Sequence, residues 1–193
     1  MIVIIKYNAG NSRSVKNAID RLGYVCEISD DKELIKTADK IIFPGVGEAS
    51  SAMDYLKENK LDLLIKQLKQ PFLGICLGQH LMCQSSEEGN TSGLGIFAAT
   101  VKKFPALQTV PHMGWNNLRT ASGELFRGIS EETNFYFVHS YYAGLCKETT
   151  AVCDYILPFS AAMQKDNFYA TQFHPEKSGD AGELILKNFL DLV

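Results

Sequence analysis

The chain contains 193 residues; 46% are hydrophobic, 21% are charged, and the formal net charge at pH 7 is −3. This composition is typical of globular domains and excludes coiled coils, collagen-like repeats and disordered chains. At roughly 150 residues per domain, we expect residues 1–193 to form a single domain. The slightly negative charge gives no general attraction to nucleic acid or to anionic membranes, so neither is predicted as a partner.

Targeting and metal-binding signals are missing from the sequence. The longest apolar run, Met1 to Ile5, is far shorter than the roughly 20 residues of a membrane-spanning helix, and no signal-peptide pattern follows it. We therefore expect a cytoplasmic protein without a membrane segment. The five cysteines are an odd number without any C-x-x-C pair, so neither a disulfide framework nor a zinc site is predicted. Nothing else in the sequence indicates a metal or a cofactor, so none is predicted. Four cysteines are expected to be small core residues: Cys26, Cys83, Cys146 and Cys153.

The first half of the chain alternates buried apolar runs with helical patterns. Bare apolar runs bounded by polar or glycine-rich segments predict strands of a parallel sheet. These strands are predicted at residues 1–7, 24–28, 40–43 and 71–76. Helices are predicted at residues 15–22, 50–57 and 61–69, and from residue 77 to about residue 89. This alternation indicates a parallel sheet with helices on both faces.

The second half changes character, because short β-type runs dominate from Gly93 to Tyr155. They indicate antiparallel strands appended to the parallel sheet. The strands of this region are predicted at residues 100–104, 135–143 and 150–156. Two more strands, at 159–163 and 168–173, precede a closing helix predicted at 183–193.

The strongest local signal is Gly74-Ile75-Cys76-Leu77-Gly78, a G-x-C-x-G pattern where a predicted strand meets a predicted helix. This is the spacing of a nucleophile elbow with cysteine in the serine position. The glycines permit a sharp turn that presents the thiol, and the helix N-terminus favours the thiolate. A buried cysteine between two packing glycines would give the same pattern, so the context must decide.

A thiol nucleophile usually works with a histidine that carries protons and a third group that orients the histidine. His174-Pro175-Glu176 follows the predicted strand at 168–173, which puts it at the edge where α/β sheets place their sites. The proline holds the imidazole and the carboxylate on a stiff corner. The other histidines are interpreted as structural or binding residues: His80, His112 and His139.

Pro44-Gly45-Val46-Gly47 follows the predicted strand at 40–43 and could present backbone N–H groups to a developing oxyanion, alongside the N–H of Leu77. Taken alone, this segment is better explained as a glycine-rich turn. The sequence has no G-x-G-x-x-G after its first strand and no P-loop, so it predicts no nucleotide site of either kind.

Together these residues resemble the class I glutamine amidotransferases, whose marks are a glycine-rich oxyanion strand, a cysteine elbow and a late His-Pro-Glu, in that order. The resemblance covers essentially the whole chain. It implies a flavodoxin-like, three-layer α/β fold with a mostly parallel central sheet and appended antiparallel strands. Four blocks narrow the resemblance to a branch that serves histidine biosynthesis: residues 44–47, 111–116, 136–142 and 174–178.

The resemblance implies a glutaminase that works through a cysteinyl thioester. Cys76 would attack the side-chain amide of glutamine, His174 would carry protons, and Glu176 would orient His174. The products would be glutamate and ammonia, and no cofactor is implied. Oxyanion or substrate binding is implied for Gly45, Val46, Gly47, Leu77, His80, Glu88, Ser140 and Tyr141.

Two of these positions are unusual. The family usually has glutamine four residues after the nucleophile, where this chain has His80 preceded by Gln79. Loss of one neutral hydrogen bond costs about 0.5–1.5 kcal/mol, so the change should affect substrate binding more than the reaction. Glu88 would lie near the C-terminus of the predicted helix, where an acidic residue is unfavourable. A role in binding the substrate α-amino group would explain it.

In that branch of the family the partner is a (β/α)8-barrel cyclase. It uses the ammonia to make imidazole glycerol phosphate and an aminoimidazole carboxamide ribonucleotide, and the two subunits form a heterodimer. Without the resemblance, Trp115 is better interpreted as a core residue than as a contact residue. The residues implied at the partner interface are Asn8, Asn11, Trp115, Asn116 and Lys177.

Three other functions remain open from the sequence. The chain could be another amidotransferase of the class, serving chorismate or a cell-surface sugar pathway, and only the interface blocks argue against this. The elbow alone also permits a cysteine hydrolase without an acceptor partner. A regulatory subunit with a relic site is disfavoured, because Cys76, His174 and Glu176 are all present.

Overall fold

The structure, a computed structural model, describes residues 1–192; Val193, the last residue of the predicted closing helix, lies outside the described residues. A mixed eight-stranded sheet forms its centre. The first five strands in spatial order are parallel, and the last three are antiparallel to their neighbours. In that order the strands are β2 (Cys26–Ser29), β1 (Ile2–Ile5), β3 (Lys40–Phe43), β4 (Phe72–Ile75), β14 (Phe168–Thr171), β13 (Leu157–Lys165), β12 (Thr149–Tyr155) and β9 (Thr120–Ala121).

Six helices cover the two faces of this sheet within the described residues. They are α1 (Ser12–Arg21), α2 (Lys32–Thr37), α3 (Ala49–Glu58), α4 (Leu61–Ile65), α5 (Leu77–Met82) and α6 (Gly179–Leu190). Helices α1 and α6 pack into one hydrophobic core, and α2 to α5 pack into the other. No helix between residues 1 and 192 is long and apolar enough to cross a membrane.

The apolar runs of the sequence become the interior of the sheet. All four residues of β1 and all four of β4 are buried, because helices cover both faces. The order β2-β1-β3-β4 is the order found in flavodoxin-like folds. The predicted three-layer α/β fold with appended antiparallel strands is therefore confirmed.

Two smaller sheets flank the central one, so part of the second half is not simply appended to it. One pairs β8 (His112–Asn117) with β10 (Asn134–His139). The other has the order β11 (Tyr141–Ala143), β7 (Phe97–Lys103), β5 (Cys83–Ser86) and β6 (Thr91–Ser92). The single strand predicted at 135–143 is therefore wrong: it breaks at Ser140, and its two halves pair in different sheets.

The helix predicted from Leu77 to about Gly89 is also wrong, because α5 ends at Met82. The carbonyls of Leu81, Met82 and Cys83 accept backbone N–H groups of residues 94–96 at 2.7–3.0 Å. Those carbonyls are no longer free to continue the helix, and the chain turns into β5, which pairs with β7. Helix α2 was not predicted at all; Asp31 starts it by accepting N–H groups of Glu33 and Leu34.

Candidate active site

Cys76 lies between β4 and α5, with a backbone φ of 52° and ψ of −104° that non-glycine residues rarely adopt. The neighbouring glycines allow this turn. A Cβ added to Gly78 would lie 2.0 Å from the carbonyl oxygen of Phe43, and one added to Gly74 would lie 2.5 Å from Met82 Sδ. The G-x-C-x-G spacing is thus a steric requirement, and the structure has the sharp turn that the spacing predicts.

His174 and Glu176 lie just after β14, as the sequence predicts, and their side chains are fully buried. His174 Nδ1 is 2.7 Å from Glu176 Oε1, which fixes the orientation of the imidazole. His174 Nε2 is buried and makes no hydrogen bond to any group in residues 1–192, which leaves it free for proton transfer. The side-chain amide of Asn11 also donates to Glu176 Oε1.

The pKa of His174 depends on the nearby Cys76. Burial by itself would lower the pKa of His174. The nearby Cys76 sulfur and the Glu176 carboxylate favour the imidazolium more strongly, and they raise this pKa to about 10. A protonated His174 beside Cys76 is the charge arrangement that activates a thiol as a thiolate.

The side chain of Gln172, the residue after β14, approaches the sulfur and is itself bonded to His80 of α5. Gln172 Nε2 lies 3.6 Å from Cys76 Sγ, and Gln172 Oε1 lies 2.7 Å from His80 Nε2. Gln172 was not identified from the sequence, although it stands only two positions before His174. Its proximity to Cys76 depends on the pairing of β14 with β4, which no local pattern shows.

The segment predicted to bind an oxyanion stands beside the elbow, but the N–H groups of Val46 and Leu77 already donate hydrogen bonds. Leu77 N–H donates to the Gly45 carbonyl at 3.3 Å. Val46 forms a bridge with Gly10, and its N–H donates to the Gly10 carbonyl at 3.4 Å. The Tyr7 hydroxyl donates to the carbonyl of Pro44 and fixes the start of the segment.

A cavity of about 300 Å³ opens above Cys76. Its wall brings together every residue predicted for oxyanion or substrate binding except Gly45, which lies outside the lining. Pro111, Val138 and His139 contribute to the wall without having been predicted to do so. The predicted residues in the wall are Val46, Gly47, Cys76, Leu77, His80, Glu88, Ser140 and Tyr141.

The sequence model of the family described as glutamine amidotransferase class-I matches residues 3–192. The chain belongs to this family. It is 58% identical to the imidazole glycerol phosphate synthase subunit HisH of Bacteroides fragilis strain YCH46, with 99% of each chain covered. It is 48% identical to the HisH subunit of Escherichia coli K12, again with 99% of each chain covered.

Solved structures show the same amidotransferase fold at much lower identity. PurLQS from Thermotoga maritima superimposes with a TM-score of 0.74 at 16% identity, covering 98% of this chain and 97% of that one. A further glutamine amidotransferase gives a TM-score of 0.70 at 20% identity, covering 98% and 99%. At such identities the likeness shows the fold alone.

Glu88 does not lie at a helix C-terminus in this amidotransferase, so the predicted conflict with the helix dipole is wrong. It begins a short 3₁₀ turn, and its Oε2 accepts the N–H of Ala49 at 3.0 Å, at the start of α3. A carboxylate is favoured there. Burial and the neighbouring Glu48 nevertheless raise the pKa of Glu88, the first being the larger effect and the Ala49 N–H opposing both.

The residues predicted at the partner interface fall into two groups. Trp115 is 58% exposed, which overturns its interpretation as a core residue, and it packs edge to face on Tyr136 at 6.0 Å. The ammonium of Lys177 lies 5.9 Å from the centre of the same Tyr136 ring. The asparagines are held by side-chain hydrogen bonds: Asn8 to the Ser51 carbonyl, Asn11 to Glu176, and Asn116 to His112 and the Asp154 carbonyl.

His112 and His139 are bonded to each other at 2.9 Å, rather than to Cys76. Burial lowers the pKa of His112 to about 4 and holds that of His139 well below its usual value. Both therefore stay neutral at physiological pH. Across residues 1–192, the His, Cys, Asp and Glu side chains form no group of three or more that could hold a metal ion.

Proposed function

We propose that this amidotransferase hydrolyses the side-chain amide of glutamine to glutamate and ammonia, and passes the ammonia to a cyclase. The observation that carries the proposal is the buried pair of His174 and Glu176 beside Cys76, with the pKa of His174 raised to about 10. The identity of 58% to a subunit of imidazole glycerol phosphate synthase supports the acceptor reaction.

In the first half-reaction, the Cys76 thiolate attacks the amide carbon of glutamine. His174, protonated at neutral pH, gives its Nε2 proton to the leaving nitrogen. The C–N bond breaks, ammonia departs, and a thioester remains on Cys76. Glu176 holds the imidazole through Nδ1, so that Nε2 points at the reacting atoms.

In the second half-reaction, the now neutral His174 takes a proton from water, and the hydroxide attacks the thioester carbon. The C–S bond breaks, the carboxyl product ionises to glutamate, and Cys76 returns to the thiolate beside a protonated His174. The proton transfers and bond changes therefore need only Cys76, His174, glutamine and one water molecule.

The negative oxygen of each tetrahedral intermediate requires N–H donors. We infer that the segment Gly45, Val46 and Gly47 reorients, because the N–H groups of Val46 and Leu77 are engaged here in bonds of 3.4 and 3.3 Å. Bonds of that length lie beyond the usual N–H···O range and are weak. Glycine permits the peptide rotation at little steric cost.

Substrate recognition is assigned to the cavity wall. Its volume of about 300 Å³ fits a small amino acid. Glu88 would bind the α-amino group, and Ser140 and Tyr141 would bind the α-carboxylate. His80 would contact the substrate from the nucleophile's side.

The proposed partner is a (β/α)8-barrel cyclase that forms a heterodimer with this chain in the cytoplasm. It would make imidazole glycerol phosphate and an aminoimidazole carboxamide ribonucleotide in histidine biosynthesis. We propose that residues 1–193 act as one amidotransferase domain. The contact surface would include Asn8, Asn11, Trp115, Asn116 and Lys177.

Replacement of the nucleophile tests this function. Cys76→Ala in the complex should abolish product formation from glutamine and keep it with added ammonium salt, because the cyclase needs only ammonia. Cys146→Ala, a partly exposed cysteine away from the cavity, is the matched control and should keep both activities. Glutamine-dependent turnover by Cys76→Ala would remove Cys76 as the nucleophile.

A further inference from the structure

We propose that Gln172 stabilises the Cys76 thiolate by donating a hydrogen bond to its sulfur, and that His80 is the positioning residue that holds Gln172 in the donating orientation. The proposal rests on the proposed role of Cys76 as nucleophile. It adds a directed chain of three side chains, from His80 through Gln172 to Cys76.

Both hydrogen bonds in this row of three side chains are within bonding distance. Gln172 Nε2 is 3.6 Å from Cys76 Sγ, within reach of an N–H···S hydrogen bond, and Gln172 Oε1 is 2.7 Å from His80 Nε2. Gln172 is fully buried, and its backbone N–H is held by the Ala161 carbonyl at 2.8 Å. The buried amide is therefore shielded from bulk solvent, so its NH₂ group and its carbonyl oxygen must both find hydrogen-bond partners in these two neighbours.

The chemistry of the three groups determines which of them donates in each hydrogen bond. A primary amide has one accepting end and one donating end. If the amide were reversed, Gln172 Oε1 would face the thiolate and repel it, while its NH₂ would meet the His80 ring. In the observed orientation Oε1 accepts, so His80 Nε2 must carry the hydrogen.

His80 suits this task because it stays neutral. Burial lowers its pKa to about 4, against a smaller opposing effect of Gln172. A neutral imidazole carries one N–H, and the contact with Gln172 Oε1 places that hydrogen on Nε2. His80 thus fixes the orientation of the Gln172 amide without placing a second positive charge, besides that of His174, near the thiolate.

Other titratable groups lie near the same sulfur, and a test must retain them unchanged in every variant. Burial first and then the Cys76 thiolate raise the pKa of Tyr7. The thiolate and Glu176 together raise the pKa of His174 against the lowering effect of burial. His139 and Glu88 line the same cavity as Cys76. These groups are the same in every variant tested, so only differences between variants are interpreted.

The test is the pH dependence of Cys76 alkylation by iodoacetamide in the full chain, followed by mass spectrometry of the Cys76 peptide. Gln172→Met keeps the length of the side chain and removes the donor. We expect it to slow Cys76 alkylation at pH 7 by about ten-fold, because a smaller fraction of the thiol is ionised without the donor. Gln172→Glu keeps the acceptor for His80 and puts a carboxylate at the sulfur, so it should slow alkylation further.

Variants of His80 test the positioning role. His80→Leu removes the donor to Gln172 and should shift the titration in the same direction as Gln172→Met. His80→Gln places an amide Nε2 where the imidazole Nε2 stood and should restore the wild-type value. The matched control is Gln79→Met on the same helix, because Gln79 bonds the Ser160 carbonyl and Met163 rather than Cys76. It should leave the titration unchanged.

The proposal would be overturned if Gln172→Met or Gln172→Glu had the alkylation profile of the wild type while circular dichroism showed that the variant is folded. A shift in Gln79→Met equal to that of Gln172→Met would also overturn it, since a packing effect would then suffice. If Gln172→Met does not fold, the comparison of His80→Leu with His80→Gln tests the proposal instead. The measurement needs no turnover, so it is independent of the Cys76→Ala assay, whose failure would remove the proposed function instead.

Discussion

Asn11 and Glu176 are 165 positions apart in the chain, yet the amide of Asn11 donates a hydrogen bond to the Glu176 carboxylate. The accepting atom, Oε1, is the one that also contacts His174 Nδ1. The second oxygen, Oε2, is buried and has no hydrogen-bond partner within residues 1–192. Asn11, predicted only as a contact for the partner, therefore also supports the proposed triad.

Asn11→Ala should slow glutamine hydrolysis. Hydrogen bonds to charged groups contribute about 1.5–3 kcal/mol, so a loss of about ten-fold or more in glutamine-dependent turnover is expected. The rate should be measured in the complex at saturating partner, with the ammonium-dependent rate as reference. Asn59→Ala, whose amide bonds only a backbone carbonyl, is the control. Full glutamine turnover in Asn11→Ala would show that Glu176 needs no second donor.

His174→Ala and Glu176→Gln should differ in severity, because His174 is proposed to transfer protons and Glu176 only to orient its neighbour. Loss of a general base costs about 10²–10⁴-fold or more, so His174→Ala should lose nearly all glutaminase activity. Glu176→Gln keeps an oxygen for His174 Nδ1 and should retain measurable thioester formation. Without the carboxylate charge, the raised pKa of His174 should fall.

Trapping the thioester with hydroxylamine and following His174 by NMR would measure both effects. Wild-type turnover in His174→Ala would contradict the triad assignment. Loss of both thioester formation and turnover in Glu176→Gln, equal to the loss in His174→Ala, would contradict the distinction between the two roles.

Buried His80 should make the protein less stable in acid. Its pKa is about 4 in the folded chain, against 6.5 for an ordinary histidine. As the pH falls from 6.5 towards 4, the unfolded chain binds a proton that the folded chain does not, so the free energy of unfolding decreases. From pH 7 to pH 5 this group should remove about 2 kcal/mol.

His80→Gln should make this pH dependence shallower. Urea unfolding of both proteins at pH 7, 6 and 5 gives the comparison. His112 and His139, which also have lowered pKa values, are common to both proteins and cancel in the difference. Parallel stability curves would show that His80 does not contribute.

The isolated chain should hydrolyse glutamine poorly and be activated by the cyclase with its nucleotide ligand bound. The N–H groups of Val46 and Leu77 are engaged in this structure, so the oxyanion has no free donor among them until the segment reorients. An allosteric coupling of about 1–3 kcal/mol gives about 5–150-fold stimulation. Glutaminase rates are to be compared for the chain alone, with partner, and with partner plus ligand. Equal rates in all three would favour a stand-alone hydrolase.

Local sequence was sufficient for the parts of the site that are built within a few residues. The elbow at Cys76 could be predicted because Gly74 and Gly78 are required by contacts at the turn itself. The pair of His174 and Glu176 could be predicted because two positions and a proline fix their relation. The apolar runs also identified β3 with its observed limits, since a strand covered on both faces leaves a continuous hydrophobic pattern.

Tertiary structure alone decided the contacts that join distant segments. The length of α5 was set by carbonyls that bond residues 94–96, and the exposure of Trp115 by the solvent-facing side of a two-stranded sheet. Gln172 reaches Cys76 only because β14 pairs in register with β4. Hydrophobic periodicity records which face of an element is buried, but it carries no information on which distant element covers that face. The fold and the candidate nucleophile Cys76 could therefore be predicted from the sequence, whereas the side chains that contact Cys76 from distant segments were identified only once the strands were paired.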